Sequence, residues 1–196
     1  MAEREDRAVT VLETERLSLR EIDEADFEAV HAYGSDPEVV QYVPWGPNTE
    51  QVTQDFIERN LERAAAEPRL EYVFGVVPRE SDRLVGTVGI YLPTPDAHLA
   101  MLGYAYDRSA WGRGYATEAA LAMLELAFDV LGVRRVWASC DSVNTGSARV
   151  LEKVGMRLEG TLRHDMNVRG DLRDSAVWGI LEREWRTRTR DEGSSP

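Results

Sequence analysis

Apolar positions recur along this chain with two different periods, and the changes of period mark its elements. Glu15-Arg-Leu-Ser-Leu-Arg20 alternates polar and apolar side chains, which predicts a strand with Leu17 and Leu19 on one face. Asp23 stands where an N-cap belongs, ahead of a helix carrying Ala25, Phe27, Ala29 and Val30. Ser35-Asp-Pro breaks that helix. A helical turn through Val39 and Val40 leads to Tyr42-Val-Pro-Trp-Gly-Pro47, where the prolines stiffen a loop around Trp45. Thr49 opens a longer helix through Phe56, Ile57 and Leu61. From Glu71 the period falls to two. Tyr72–Val77, Leu84–Tyr91 and Leu99–Tyr106 predict an antiparallel meander joined by turns rich in Pro, Asp and Ser.

Past Tyr106 the pattern becomes strand, glycine turn, helix. Ala116, Ala119, Ala120, Met123, Leu124, Ala127, Phe128 and Leu131 follow helical spacing, and Gly132 fits a C-cap. The strand Arg135–Cys140 completes a strand-helix-strand unit, so its two strands are expected to run parallel. Asn144 begins another helix, with Ala148, Leu151 and Val154 on one face and Gly155 as its stop. Met156–Val168 and Leu172–Leu181 predict a closing hairpin turned at Arg169-Gly-Asp171. The expected fold class is α/β with one mixed sheet, antiparallel first and parallel at the centre. Residues 1–13 are expected as a flexible lead-in, 14–185 as a single domain and 186–196 as a disordered tail.

The turn between Tyr106 and the long helix carries the chemistry. Gly112 and Gly114 can adopt backbone angles that expose successive N–H groups, and the helix start adds the positive end of its dipole. Such a turn suits a phosphate or pyrophosphate. No lysine follows as in a P-loop, and Thr117 stands where a dinucleotide fingerprint needs a third glycine.

Composition narrows the partners. The 196 residues are 43% hydrophobic and 30% charged, enough for one sizeable core. A net charge of −12 disfavours nucleic acid and anionic membranes, and suits a cationic acceptor such as an amine. Cys140 is the only cysteine, which fits a reducing cytoplasm, and with three histidines no metal cluster is expected. Lys153 is the only lysine.

At this point the chain resembles a known family. Arg113-Gly-Tyr-Ala-Thr-Glu118 is similar to the acetyl-CoA pyrophosphate loop of the GNAT N-acetyltransferases, and Asn144-Thr-Gly-Ser-Ala-Arg-Val-Leu-Glu-Lys-Val-Gly155 to their second motif. The start at Glu15–Arg20 and the closing run Arg163…Gly170…Asp174…Trp178–Trp185 resemble the RimJ/RimL-type branch. The resemblance implies the GNAT acyl-CoA N-acyltransferase fold, with the central parallel pair splayed around coenzyme A and helices on both faces. It implies that Tyr104, Ala105 and Tyr106 line the pantetheine arm and that Trp111, Gly112, Arg113, Gly114, Tyr115, Ala116 and Thr117 surround the pyrophosphate. Asn144 would bond the pantetheine amide, Ser147 would lie near the thioester sulfur, and Arg149 or Lys153 would reach the 3′-phosphate. Thr117 and Glu118 can equally cap their own helix. Two departures stand out: Met101 precedes Leu102-Gly-Tyr104 where many relatives carry glutamate, and Leu151 replaces a tyrosine that other branches use as general acid.

The implied reaction is direct acetyl transfer from acetyl-CoA, without a metal, to a primary amine on a peptide N-terminus or a small molecule. Ser147, Tyr104 and Asp141 are the candidates for catalysis, with His164 and Glu71 as further candidate bases. Tyr42, Trp45, Tyr91 and His164 are expected to frame the acceptor. An α-amine titrates near 7.7–8.0, so roughly a third is neutral near pH 7.5, against about 0.1% of a lysine, which makes it the easier acceptor where no base stands out. Transfer of another acyl group such as succinyl, and a CoA-binding regulatory module without catalysis, are the alternative readings. A homodimer is compatible with Trp137, Trp178 and Trp185, which suit an interface as well as a core.

Overall fold

The computed structural model describes residues 11–192, with side chains to residue 188. Eight strands form one sheet in the order β1-β2-β3-β4-β5-β6-β8-β7. They are β1 (Val11–Glu13), β2 (Leu17–Arg20), β3 (Glu71–Pro78), β4 (Gly86–Tyr91), β5 (Leu99–Tyr106), β6 (Arg135–Asp141), β7 (Arg157–Val168) and β8 (Asp171–Leu181). Every neighbouring pair is antiparallel except β5 and β6.

Helices α1 (Phe27–Gly34) and α2 (Glu50–Ala64) cover one face, where Val30, Tyr33 and Ile57 pack on Val73, Val77 and Leu84. Helices α3 (Tyr115–Glu125), α4 (Thr145–Lys153) and α5 (Glu182–Glu192) pack on the other, where Phe74, Val88, Ile90 and Leu102 meet Ala119, Met123, Leu124, Leu151 and Trp185. The cap positions read from the sequence hold. Asp23 accepts from Ala25 N–H, Thr49 from Val52 N–H and Asn144 from Ser147 N–H, while Gly132 and Gly155 close their helices at φ +64° and +89°.

Three expectations change. Asp23 caps a short 3-10 turn over Glu24–Asp26, and the α-helix begins only at Phe27. The long helix widens into a π turn over Leu126–Val130 before Gly132 stops it. The disordered stretch expected from Arg186 is instead helical as far as Glu192: Trp185 is buried with its ring 6.0 Å from that of Phe128, and Arg186 pairs with Glu182 one turn back. Residues 193–196 lie outside the described residues. Of the expected lead-in, Val11–Glu13 pair with β2, and 1–10 also lie outside.

The sheet opens at its centre. β5 and β6 pair only at Leu99–Arg135, Ala100–Val136 and Met101–Trp137, although β5 runs on to Tyr106 and β6 to Asp141. β6 keeps its pairing with β8 to the end, so the cleft belongs to the edge of β5 from Leu102 to Tyr106.

Candidate active site

Two faces of one cleft meet around the end of β5. On one side, Gly112 and Gly114 have φ of +73° and +81°. A Cβ at Gly112 would touch nothing, so this position needs glycine for its angle alone, whereas a Cβ at Gly114 would stand 3.3 Å from Arg16 Nη2. Gly114 is the N-cap of α3, and the first bond of the ladder runs from Glu118 N–H to Gly114 C=O. The N–H groups of Tyr115, Ala116 and Thr117 therefore precede the ladder and face outward with the helix dipole.

Arg16 organises this turn, a role that its place at the start of the Glu15–Arg20 stretch did not signal. Its guanidinium bonds Glu118 and, at 3.0 Å, the Arg113 carbonyl, while its own N–H and the Thr14 hydroxyl donate to Glu118 Oε1. Burial alone would raise the Glu118 carboxyl; these bonds outweigh it and hold the group below its ordinary 4.5. Glu118 thus ties the N-terminal strand to α3 and does not cap its own helix. Tyr115 lies between two guanidiniums, Arg16 at 5.2 Å and Arg113 at 4.9 Å from its ring centre. Arg113 and the Tyr115 hydroxyl both bond Glu80. Lys153 shares a depression with Arg16, Gly114, Thr117, Glu118 and Leu121. Arg149 is exposed on α4.

Deeper in, Trp111 Nε1 donates to the Tyr106 carbonyl at 3.0 Å, occupying the last acceptor of β5. Tyr104 and Tyr106 share one face of the strand. Tyr104 Oη meets Ser147 Oγ at 2.8 Å across the cleft. Asn144 Oδ1, as the cap of α4, accepts from Ser147 N–H at 3.0 Å and so fixes Ser147 in place. Cys140 completes the cluster, its thiol raised by burial. The Tyr106 hydroxyl is buried with no hydrogen-bond partner among the described residues.

The expected bases fare differently. Asp141 is 2% exposed and paired with Arg173 at 3.0 Å, and its other oxygen accepts from Val143 N–H, so both oxygens hold structure. It is therefore not free to act as the base. Glu71 is paired with Arg63. His164 lies in a bulge of β7 with φ +51°, its N–H on Asp174 and its side chain exposed. Tyr91 faces α1 and α2, its ring filling the space above Gly89 and Gly103, which makes it the floor of that face. Trp45 is 39% exposed and Tyr42 half-buried on the loop between α1 and α2. Among the described residues no group of three or more His, Cys, Asp or Glu could hold a metal, and no helix is long and apolar enough to cross a membrane.

Four phenols, the buried Tyr33 and Tyr106 and the half-buried Tyr91 and Tyr104, are raised above the ordinary 10.0 by loss of solvent, Tyr91 to about 12. A raised acid contributes stability that is complete below the unfolded value and is lost as pH climbs towards the folded one. Melting temperature is therefore expected to hold to about pH 10 and fall steeply between about 10 and 12, as read by circular dichroism. An unchanged melting temperature across that interval would show the phenols to be solvated.

Residues 16–157 match the acetyltransferase (GNAT) domain family. The uncharacterized N-acetyltransferase YnaD of Bacillus subtilis is 34% identical over 172 residues, covering 88% of this chain and 97% of its own. A GNAT-family acetyltransferase from Bacillus anthracis superposes with a TM-score of 0.79 at 33% identity, over 89% of this chain and 99% of the other. The RimL ribosomal alpha-N-protein acetyltransferase, solved in complex with coenzyme A, shares the fold with a TM-score of 0.77 at 19% identity, over 87% and 97% of the two chains. With the splayed central strands and the left-handed glycine turn of this structure, these matches establish that the chain is an N-acetyltransferase of the GNAT family.

Proposed function

We propose that the protein transfers acetyl from acetyl-CoA to a weakly basic primary amine, above all the free α-amine of a peptide. The observation that carries this reading is the Tyr104–Ser147 hydroxyl pair set across the open edge of β5, in a cleft whose candidate carboxylates are already paired. The residues present fit coenzyme A. The outward N–H groups at the start of α3 suit a pyrophosphate, Lys153 stands in the adjoining depression, and the unpartnered Tyr106 hydroxyl suits a buried amide of the pantetheine arm. When bound, acetyl-CoA supplies an acetyl group activated as a thioester.

The chain's own part is placement and one proton. The edge of β5 orients the reactants, and its free N–H groups near Tyr104 can receive a developing oxyanion. Burial keeps Tyr104 Oη protonated through the physiological range, with Ser147 Oγ in contact, so the pair holds a proton for the departing sulfur. Because Asp141 and Glu71 are engaged elsewhere, the amine has to arrive largely neutral. This favours an α-amine over a lysine and agrees with the alpha-N-protein activity named for RimL.

The test is thiol release from acetyl-CoA with hexapeptides beginning in Ala, Ser or Met, with spermidine and with kanamycin. Release with the peptides is expected, its rate rising through about pH 7.7–8.0 as the α-amine loses its proton. Arg113→Glu is expected to weaken acetyl-CoA use. Binding of acetyl-CoA with no release on any probe would favour a module without catalysis.

A further inference from the structure

The loop from Ser35 to Asn48 touches both lips of the cleft, through Asp36 and Glu38 on one side and residues 40–46 on the other. On the β5 lip, Arg108 pairs with Glu38 at 2.9 Å and approaches Asp36 at 3.8 Å. On the β6–β8 lip, the hairpin turn contributes Arg169. Its Nη2 donates to the Val40 carbonyl at 2.9 Å, and its Nη1 faces the carbonyls of Gly46, Val43 and Trp45 at 3.1, 3.3 and 3.4 Å. Arg173 Nη1 adds a bond to the Gln41 carbonyl at 3.2 Å while holding Asp141 at the tip of β6. Five carbonyls of residues 40–46 are therefore aimed at two guanidiniums.

Arginine is the side chain able to do this. Its planar fork presents five N–H donors in fixed directions, where lysine offers one compact ammonium. Its position is also unexpected on backbone grounds: Arg169 has φ +52° in a two-residue hairpin turn, a place that favours Asn or Gly. The loop is closed at its base by Asn48 N–H on the Gly34 carbonyl, and Gly46 leaves no room for a Cβ, which would meet Val40 Cγ1 at 2.7 Å.

We infer that Arg169 is a positioning residue for the acceptor, holding the loop as a fixed wall across the cleft so that Tyr42 and Trp45 stand ready before any amine arrives. Arg173 joins the same wall to the tip of β6. With the loop carbonyls occupied by arginine, an acceptor meets aromatic side chains there and not backbone acceptors. The inference rests on the proposed acetyl transfer in this cleft.

Arg169→Ala and Arg169→Lys test it, with the same peptides, spermidine and kanamycin as acceptors. In Arg169→Ala the acceptor KM is expected to rise about tenfold while kcat and the acetyl-CoA KM stay within about twofold, and Arg169→Lys is expected to recover part of the loss. Chymotrypsin is expected to cut after Tyr42 or Trp45 faster in Arg169→Ala than in the wild type. An unchanged acceptor KM with unchanged proteolysis overturns the inference, as does an equal rise in both KM values. Should the wild type acetylate none of the probes, the proposed function fails, while the proteolysis still decides whether Arg169 holds the loop. If Arg169→Ala does not fold, Arg169→Gln carries the same comparison.

Discussion

Gly114→Val is expected to weaken binding of acetyl-CoA and of free CoA by tenfold or more, about 1.4 kcal/mol at least. At φ +81° an L-residue costs about 1–2 kcal/mol, and β-branching makes the angle harder still to keep. The new side chain would also press on Arg16 Nη2, loosening the guanidinium from Glu118 and from the Arg113 carbonyl. The cheapest relief is to rotate the Gly114–Tyr115 peptide, which turns away the N–H groups that open α3. Gly132→Val is the control. It carries the same kind of angle, φ +64°, with no neighbour for its Cβ, and lies at the far end of the helix. It should lose comparable stability in urea and keep its affinity for CoA by isothermal titration. Equal affinities for both variants would mean that the glycine turn does not hold the pyrophosphate.

Tyr104→Phe is expected to lower kcat by about a hundredfold while changing the acetyl-CoA KM by less than about threefold. The substitution keeps the ring and removes only the hydroxyl that meets Ser147 at 2.8 Å. Ser147→Ala should reproduce much of the loss, and the double variant should be little worse than the weaker single one, because the two hydroxyls act as a unit. Loss of the hydroxyl's two bonds, to Ser147 Oγ and at 3.3 Å to the Ser147 carbonyl, limits the stability change to about 1–2 kcal/mol, which separates the kinetic effect from misfolding. Burial raises the Tyr104 phenol far above neutral pH, so the wild-type rate should show no fall attributable to it up to about pH 9. A Tyr104→Phe enzyme with full kcat would assign the leaving-group proton elsewhere.

Much of this site was legible in the chain because it depends on local rules. A left-handed angle demands glycine, so Gly112, Gly114, Gly132 and Gly155 announced turns and helix ends; Thr49 and Asn144 announced helix starts by the cap they make with their own helix. Arg169 and Arg173 were not legible as anchors of the loop, because the carbonyls they hold there lie 123 to 132 residues away and an arginine in a charged hairpin reads as a solvated one. The one local hint was arginine at a turn position that suits Asn or Gly. Arg16 escaped for the same reason, its carboxylate being 102 residues distant. Asp141 looked available as a base because alternation along β6 says which face a side chain takes, and not which cation waits there. The C-terminal helix was missed because its sequence carries a single large apolar anchor, Trp185, and its order comes from docking against Phe128.

Amide hydrogen exchange of the wild-type protein with and without acetyl-CoA tests the central claim most directly. Binding in the splay should slow exchange along the open edge of β5 from Leu102 to Tyr106 and across Gly112–Thr117, leaving α1 and α2 unchanged. Protection confined to other segments, or none at saturating acetyl-CoA, would contradict the placement of the donor and the chemistry built upon it.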